Sequence, residues 1–220
     1  MALTTYSTLK TEIENWAHRS NIDASTVDTF IDLAEAEFNV RLRTVDQETV
    51  AGLTCNTRFT SLPSDFLEMR LVEFEATTLA NVTFATPEYL TRLRAKHTAG
   101  DPVAYSIRGT TIELVPSPGA DDPDLDGFGS DMSPFEEGEV DLILTYWAKV
   151  AALSDSNTTN WLLTNHPNMY LYECLRQLSI YVKDDSGMAR YATLLQGYYD
   201  SLQRQDRRKR WGGGLRVRVA

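Results

Sequence analysis

NWLLTNHPNMYLYECLRQLSIYVKDDSGMARYATLLQGYYDSLQRQDRRKRWGGGLRVRVA, residues Asn160 to Ala220, is the stretch whose reading decides the fold. Pro167 stands where a first helical turn tolerates a missing N–H. Tyr170, Leu171, Cys174, Leu175, Leu178 and Tyr181 then recur at three- and four-residue steps, which is the helical period. Asp184-Asp185-Ser186-Gly187 interrupts that helix, and Ser186 or Asp185 is expected to cap the next. Met188, Tyr191, Leu194, Leu195, Tyr198 and Leu202 form the second apolar stripe. Beyond it come Arg204, Arg207, Arg208, Lys209 and Arg210, then Trp211, three glycines and the alternating Leu215-Arg216-Val217-Arg218-Val219. The sequence predicts two amphipathic helices that lead into a basic, glycine-hinged arm.

That arm stands out in charge. Residues 201–220 hold seven Lys or Arg against Asp206, a net +6, whereas the whole chain carries −10, so residues 1–200 carry −16. Leu215, Val217 and Val219 share one face of a strand pattern, yet a lone five-residue strand is unstable in water. Two readings stand: a frayed terminus, or an arm that docks on a partner's sheet edge or groove.

Working back toward the start, Thr4 to Arg19 is a first helix with Tyr6, Leu9, Ile13 and Trp16 on one face. Ser25 and Asp28 resemble a capping box for a second helix that runs to about Arg43. Its stripe is Val27, Phe30, Ile31, Ala34, Phe38 and Leu42. The period changes from helical to alternating at Thr49. Arg58–Leu62, Leu67–Glu75 and Thr78–Phe84 read as strands, and Thr86-Pro87-Glu88 opens a short helix that ends near His97. Val103–Ile107 and Thr111–Val115 form a hairpin around Arg108-Gly109, Pro116–Gly138 is a turn-rich loop, and Glu139–Val150 is a central strand. The fold class is therefore α+β: a helical body from the N- and C-terminal helices (1–48 and 156–210), an inserted antiparallel β subdomain (49–155) and an extended C-terminal arm (211–220).

Composition narrows the function. With 42% apolar and 24% charged residues the chain is an ordinary soluble domain, and no run approaches a membrane span. Met1 to Lys10 lacks the pattern of a secretory signal, and Cys55 and Cys174 are far apart, which points to synthesis in a reducing cytoplasm with Cys174 a buried free thiol. Net acidity opposes nucleic-acid binding by the body. The basic run Arg204–Arg210 suits DNA phosphates or an acidic protein surface equally. His18, His97 and His166 have no zinc spacing, and no nucleophile elbow or phosphate loop occurs. Asp122, Asp124 and Asp126 before Gly127 match the first half of a calcium loop, but its twelfth position is Ser133, so a solvated acidic loop is the preferred reading. Glu35, Glu37, Glu136 and Glu137 are chance carboxylates without a catalytic pattern, and no cofactor is expected. Of the C-terminal aromatics, Tyr172, Tyr198 and Tyr199 point to a subunit interface.

The chain also resembles the head-to-tail adaptor (connector) proteins of tailed bacteriophages. The similar stretches are Thr5-Tyr6-Ser7-Thr8-Leu9-Lys10 leading to Trp16, Phe30 to Asn39 with Arg41-Leu42-Arg43, Leu62 to Glu68, Leu144 to Ala148 with Leu153-Ser154, and Asn160-Trp161-Leu162-Leu163 with the tyrosine-rich helix pair. The resemblance implies a non-enzymatic virion protein of the neck, made in the host cytoplasm. It would form a ring of twelve below the portal, extend the DNA channel without specific DNA binding, and receive tail or nozzle proteins. It also implies that the arm docks on the portal, through Arg207, Arg208, Lys209, Arg210, Trp211, Leu215, Arg216, Val217, Arg218 and Val219. A carboxylate-pair hydrolase acting on cell wall and a monomeric nucleic-acid-binding module are the rival readings.

Overall fold

The computed structural model describes residues 3–17, 22–74, 80–97, 100–117 and 140–211. The loop carrying Asp122, Asp124 and Asp126, and the arm from Gly212 with Leu215, Arg216, Val217, Arg218 and Val219, lie outside the described residues, as does His18. The chain is α+β and divides into two compact units, residues 1–47 with 149–220 and residues 48–148.

The first unit is helical. α1 (Tyr6–Ala17) and α2 (Ala24–Arg41) bury the stripes expected of them, Tyr6, Leu9 and Ile13 on α1 and Val27 through Phe38 on α2. Trp16 differs, being 46% exposed. The predicted capping box does not form. Ser25 Oγ instead donates to Asp23 Oδ2, and Asp28 accepts from Tyr6 Oη at 2.7 Å and pairs with Lys10. A carboxylate that ties α1 to α2 is unavailable to its own helix start. α4 (Trp161–Asn165) is capped by Asn160, whose Oδ1 accepts from the Leu163 N–H.

α5 (Pro167–Tyr181) is the central helix, buried nearly all round and packed on α1, α2, α4 and α6. Its last stripe residue, Tyr181, is turned outward. Lys183 in the left-handed region ends α5, and α6 (Asp185–Trp211) follows. The cap is Asp184, one residue earlier than expected: its Oδ1 accepts from the Gly187 N–H at 3.0 Å. A Cβ on Gly187 would lie 2.4 Å from Asp184 Oδ2 and 2.9 Å from Ser179 Oγ. Gly187→Ala is therefore expected to push the cap aside and cost about 1 kcal/mol, the worth of an N-cap. A melt should show a fall of about 2–4 °C for a chain this long. An unchanged melt would show the cap to be dispensable.

The second unit holds two four-stranded sheets over one core of Cys55, Val72, Tyr105, Ile112, Leu114, Leu142 and Leu144 with their neighbours. In the first sheet β8 (Val140–Ala148) lies between β1 (Glu48–Cys55) and β3 (Phe66–Phe74), antiparallel to both, as its apolar sequence predicts. The sequence reading gave β1 no strand of its own. Up to Thr54 its side chains alternate only between half-buried and exposed, the pattern of an edge, and Cys55 at its end is buried. The predicted strand Thr78–Phe84 is split by Val82: β4 (Ala80–Asn81) pairs with β3, and β5 (Thr83–Phe84) joins the other sheet. That second sheet runs β2 (Phe59–Ser61), β7 (Thr111–Val115), β6 (Ala104–Arg108), β5. The β6–β7 hairpin turns on Gly109 at positive φ. β5 is parallel to β6, so the insertion is mixed and not wholly antiparallel. The cause is α3 (Pro87–Arg94), a helical connection that returns the chain in the same direction.

Candidate functional site

Three parts of the helical unit can hold a partner. The first is the end of α6. The helix continues past its apolar stripe to Trp211, and its charged end is tied to the 3-10 turn Val45–Gln47. Asp206 Oδ1 accepts from the Val45 N–H at 2.6 Å, Lys209 Nζ donates to Asp46 at 2.5 Å, and Arg210 Nε donates to Asp206 Oδ2 at 2.7 Å. Lys209 and Arg210 are thus engaged within the chain. Arg207 and Arg208 are exposed with no ion pair among the described residues, and Trp211 beside them is 73% exposed. The cations in the last turn also suit the negative end of the helix dipole. His166, near Asp46 and Lys209, is held below its usual value by burial.

The second part is an aromatic face shared by α1, α5 and α6. Tyr172 sits between Trp16, Tyr191 and Tyr198, with ring centroids 6.2, 6.2 and 5.7 Å away. Burial, and then the Tyr198 hydroxyl, hold the Tyr172 phenol above its usual value. Tyr198 Oη accepts from Asn168 Nδ2, and Leu194 on the same helix is exposed. Tyr199 lies elsewhere. It is in the chain's own core, its ring under the Arg41 guanidinium and its hydroxyl without a hydrogen-bond partner among the described residues. Of the three tyrosines read as interface, Tyr172 and Tyr198 lie on the half-exposed face and Tyr199 does not.

The third part is an open groove of about 400 Å³ between α2 and α5, walled by Ser25, Phe30, Leu33, Gln177, Ile180 and Tyr181. Leu33, Ile180 and Tyr181 are 47–62% exposed there.

The carboxylates read as chance pairs have structural partners. Glu37 pairs with Arg41. Glu35 is buried, and its Oε1 accepts from the Leu153 N–H at 2.9 Å and from Tyr170 Oη at 3.1 Å. Asn160 Nδ2 in turn donates to Tyr170 Oη and to Ala151 O. Burial raises the Glu35 carboxyl to about 7, against the pull of those two bonds. Glu136 and Glu137 lie outside the described residues. Sequence reasoning missed that Glu35, Glu113 and Glu173 are buried. A signal existed for Glu35, since Ile31, Glu35 and Phe38 share one helical face.

Among the described residues no three His, Cys, Asp or Glu gather as metal ligands, and no helix is long and apolar enough to cross a membrane. Cys55 and Cys174 are free and buried, and burial pushes both thiols up. No curated protein matches the chain. A family model described as SU10 adaptor protein matches residues 4–218.

Proposed function

Because the chain belongs to the SU10 adaptor protein family, a phage head-to-tail adaptor family, we propose that it is a non-enzymatic virion structural protein. It binds the portal, forms a ring that continues the DNA channel and offers the attachment site for tail proteins. The observation that carries this reading is the family match across residues 4–218. The helical unit supports it. A closed head-to-tail ring needs two different patches on each subunit, one to meet the other on its neighbour. The aromatic face around Tyr172 and Tyr198 and the groove at Leu33 and Tyr181 are two such patches. Both expose large apolar or aromatic side chains, Leu194 at the first and Leu33, Ile180 and Tyr181 at the second.

In this reading the arm docks on the portal. Arg207, Arg208, Lys209, Arg210 and Trp211 form its root, and Leu215, Arg216, Val217, Arg218 and Val219 add a strand to a portal edge. Twelve copies match a twelve-fold portal, and the acidic body lets DNA pass without specific binding. The site of action is the neck, between head and tail. The acidic loop with Asp122, Asp124 and Asp126 has no part in this reading.

The test is deletion of residues 211–220. The shortened protein is expected to fold, since α6 is held by Asp206 and Lys209 upstream of the cut, and to lose co-sedimentation with portal particles. Retained co-sedimentation would remove the arm from the mechanism. Purified virions lacking the protein at the neck would remove the adaptor role itself.

A further inference from the structure

We propose that Arg58, Arg94 and Arg108, gathered around Glu113 in the second sheet, form a site for the phosphates of duplex DNA, contacted without regard to sequence. The choice of DNA as the source of phosphate rests on the adaptor reading above; the cluster itself does not.

Glu113 is fully buried on β7. Arg58 reaches its Oε1 with Nε at 2.8 Å and Nη2 at 2.7 Å, Arg94 donates to the same oxygen from Nη2, and Arg108 Nε lies 2.8 Å from Oε2. The Arg108 contact is an ion pair without hydrogen-bond alignment, and Glu113 Oε2 has no hydrogen-bond partner among the described residues. One buried carboxylate is balanced by one guanidinium. Three are collected here from three separate elements, the loop before β2, the end of α3 and the β6–β7 turn. They repel one another, so the fold spends stability to hold surplus positive charge in one place.

That charge is presented outward. The side chains of Arg58 and Arg108 are 43% and 42% exposed, and that of Arg94 is 30% exposed. A guanidinium has five N–H donors, so each has donors left after meeting Glu113. Forked donors around an anchoring carboxylate match the geometry of phosphate oxygens.

Among the described residues of the elements that carry the three arginines, the surroundings favour the same sign. Residues 56–61, 86–97 and 100–115 hold five Lys or Arg against Glu88, Asp101 and Glu113. Glu88 lies within Coulombic reach of Arg108 and offsets part of the surplus. This local excess sits within a chain of −10. Phe59 lies under the Arg58 guanidinium at 4.8 Å and is itself exposed. A centre this charged is unlike protein interfaces, whose cores are depleted of charge. It is the footprint of backbone contact to nucleic acid. Sequence reading missed it because its arginines are up to 50 residues apart and each alone is an ordinary surface charge.

The experiment is fluorescence anisotropy of a labelled short duplex titrated with the full-length protein across a salt series. Arg58→Gln and Arg108→Gln are each expected to lower the slope of log K against log salt by about one, the loss of one phosphate contact. Glu113→Gln is expected to tighten binding about threefold, from removing one negative charge about 7 Å from the ligand in water. A cluster that only neutralises a buried acid predicts the reverse: Glu113→Gln binds no tighter, and the arginine variants leave the slope unchanged. That outcome overturns the proposal. Arg207→Gln with Arg208→Gln controls for the end of α6, whose loss should add to that of Arg58 and not replace it. Tighter binding of labelled poly-glutamate than of the labelled duplex, lost in Arg58→Gln and Arg108→Gln, would assign the cluster to an acidic protein. Binding of inorganic phosphate with no duplex affinity would assign it to a free anion. Either result overturns the DNA site. A wild-type protein that joins the neck yet has no affinity for duplex retires this site alone. A protein that binds duplex but is absent from the neck retires the adaptor reading alone.

Discussion

Arg176→Met is expected to destabilise the protein by about 3–5 kcal/mol, the cost of leaving a buried charge without its partner. Glu173 is 1% exposed on the central helix α5. Arg176 donates to both of its oxygens through Nε, at 3.0 and 3.1 Å, and again through Nη2. Gln177 Nε2 adds one neutral bond at 3.0 Å, which places the loss toward the lower end of that range. The buried Tyr199 hydroxyl is close enough to Glu173 for the carboxylate to raise its pKa further, after burial itself. Equilibrium urea unfolding measures the loss as a lower midpoint at unchanged slope. The double variant Glu173→Met/Arg176→Met is expected to recover most of it, because apolar side chains of similar volume replace a buried pair at little cost. A double variant as unstable as the single one would show that the pair itself, and not the orphaned charge, carries the stability.

The second large effect is a pH dependence set by Glu35. Its carboxyl is raised from 4.5 to about 7 by burial in the folded chain. Between those values the folded state holds a proton that the unfolded state has lost. Stability from this group is therefore fully present below the unfolded value and falls as pH rises through the folded one. The gap corresponds to about 3.5 kcal/mol at most, at ~1.4 kcal/mol per unit. Glu35→Gln keeps an oxygen for the Leu153 N–H and Tyr170 Oη but cannot titrate. The variant is expected to lose the slope across this window and to exceed the wild-type protein in stability above it. Parallel stability curves for the two proteins would count against the assignment. The bonds at stake tie residues 150–160 onto α2 and α5, since Val150 and Leu153 donate to Asn39 and Glu35, and Asn160 joins Tyr170 to Ala151.

These acids show where sequence reading stops. Glu35 looks like a solvated helix acid until the segment at Leu153 is laid over it. Glu113 shares β7 with buried Ile112 and Leu114, and alternation assigns it to the outer face. Its burial follows from three arginines in other elements. The reading of aromatic surface had the same limit. Tyr172 and Tyr199 both lie beside the apolar stripes, yet one is half-exposed between Trp16 and Tyr198 and the other is enclosed near Arg41 and Glu173. Neighbouring elements make that difference, and a helical period cannot register it.

What the sequence by itself determined is the set of elements whose pattern repeats over many residues. The helices α1, α2, α5 and α6, the Asn160 stretch, the β6–β7 hairpin and the apolar β8 were legible because a side chain's period reports the geometry of its own backbone, although Met188 and Leu194 of the stripe read for α6 are exposed. Together with the stretches that resemble adaptor proteins, they fixed the α+β class and the family. Tertiary structure alone decided the rest. It divided one predicted strand at Val82 between two sheets, made β5 parallel to β6, moved the α6 cap to Asp184, and buried three carboxylates against distant donors. Strands of two residues have no period to read. The burial of a charge is settled only when chain from far along the sequence closes over it.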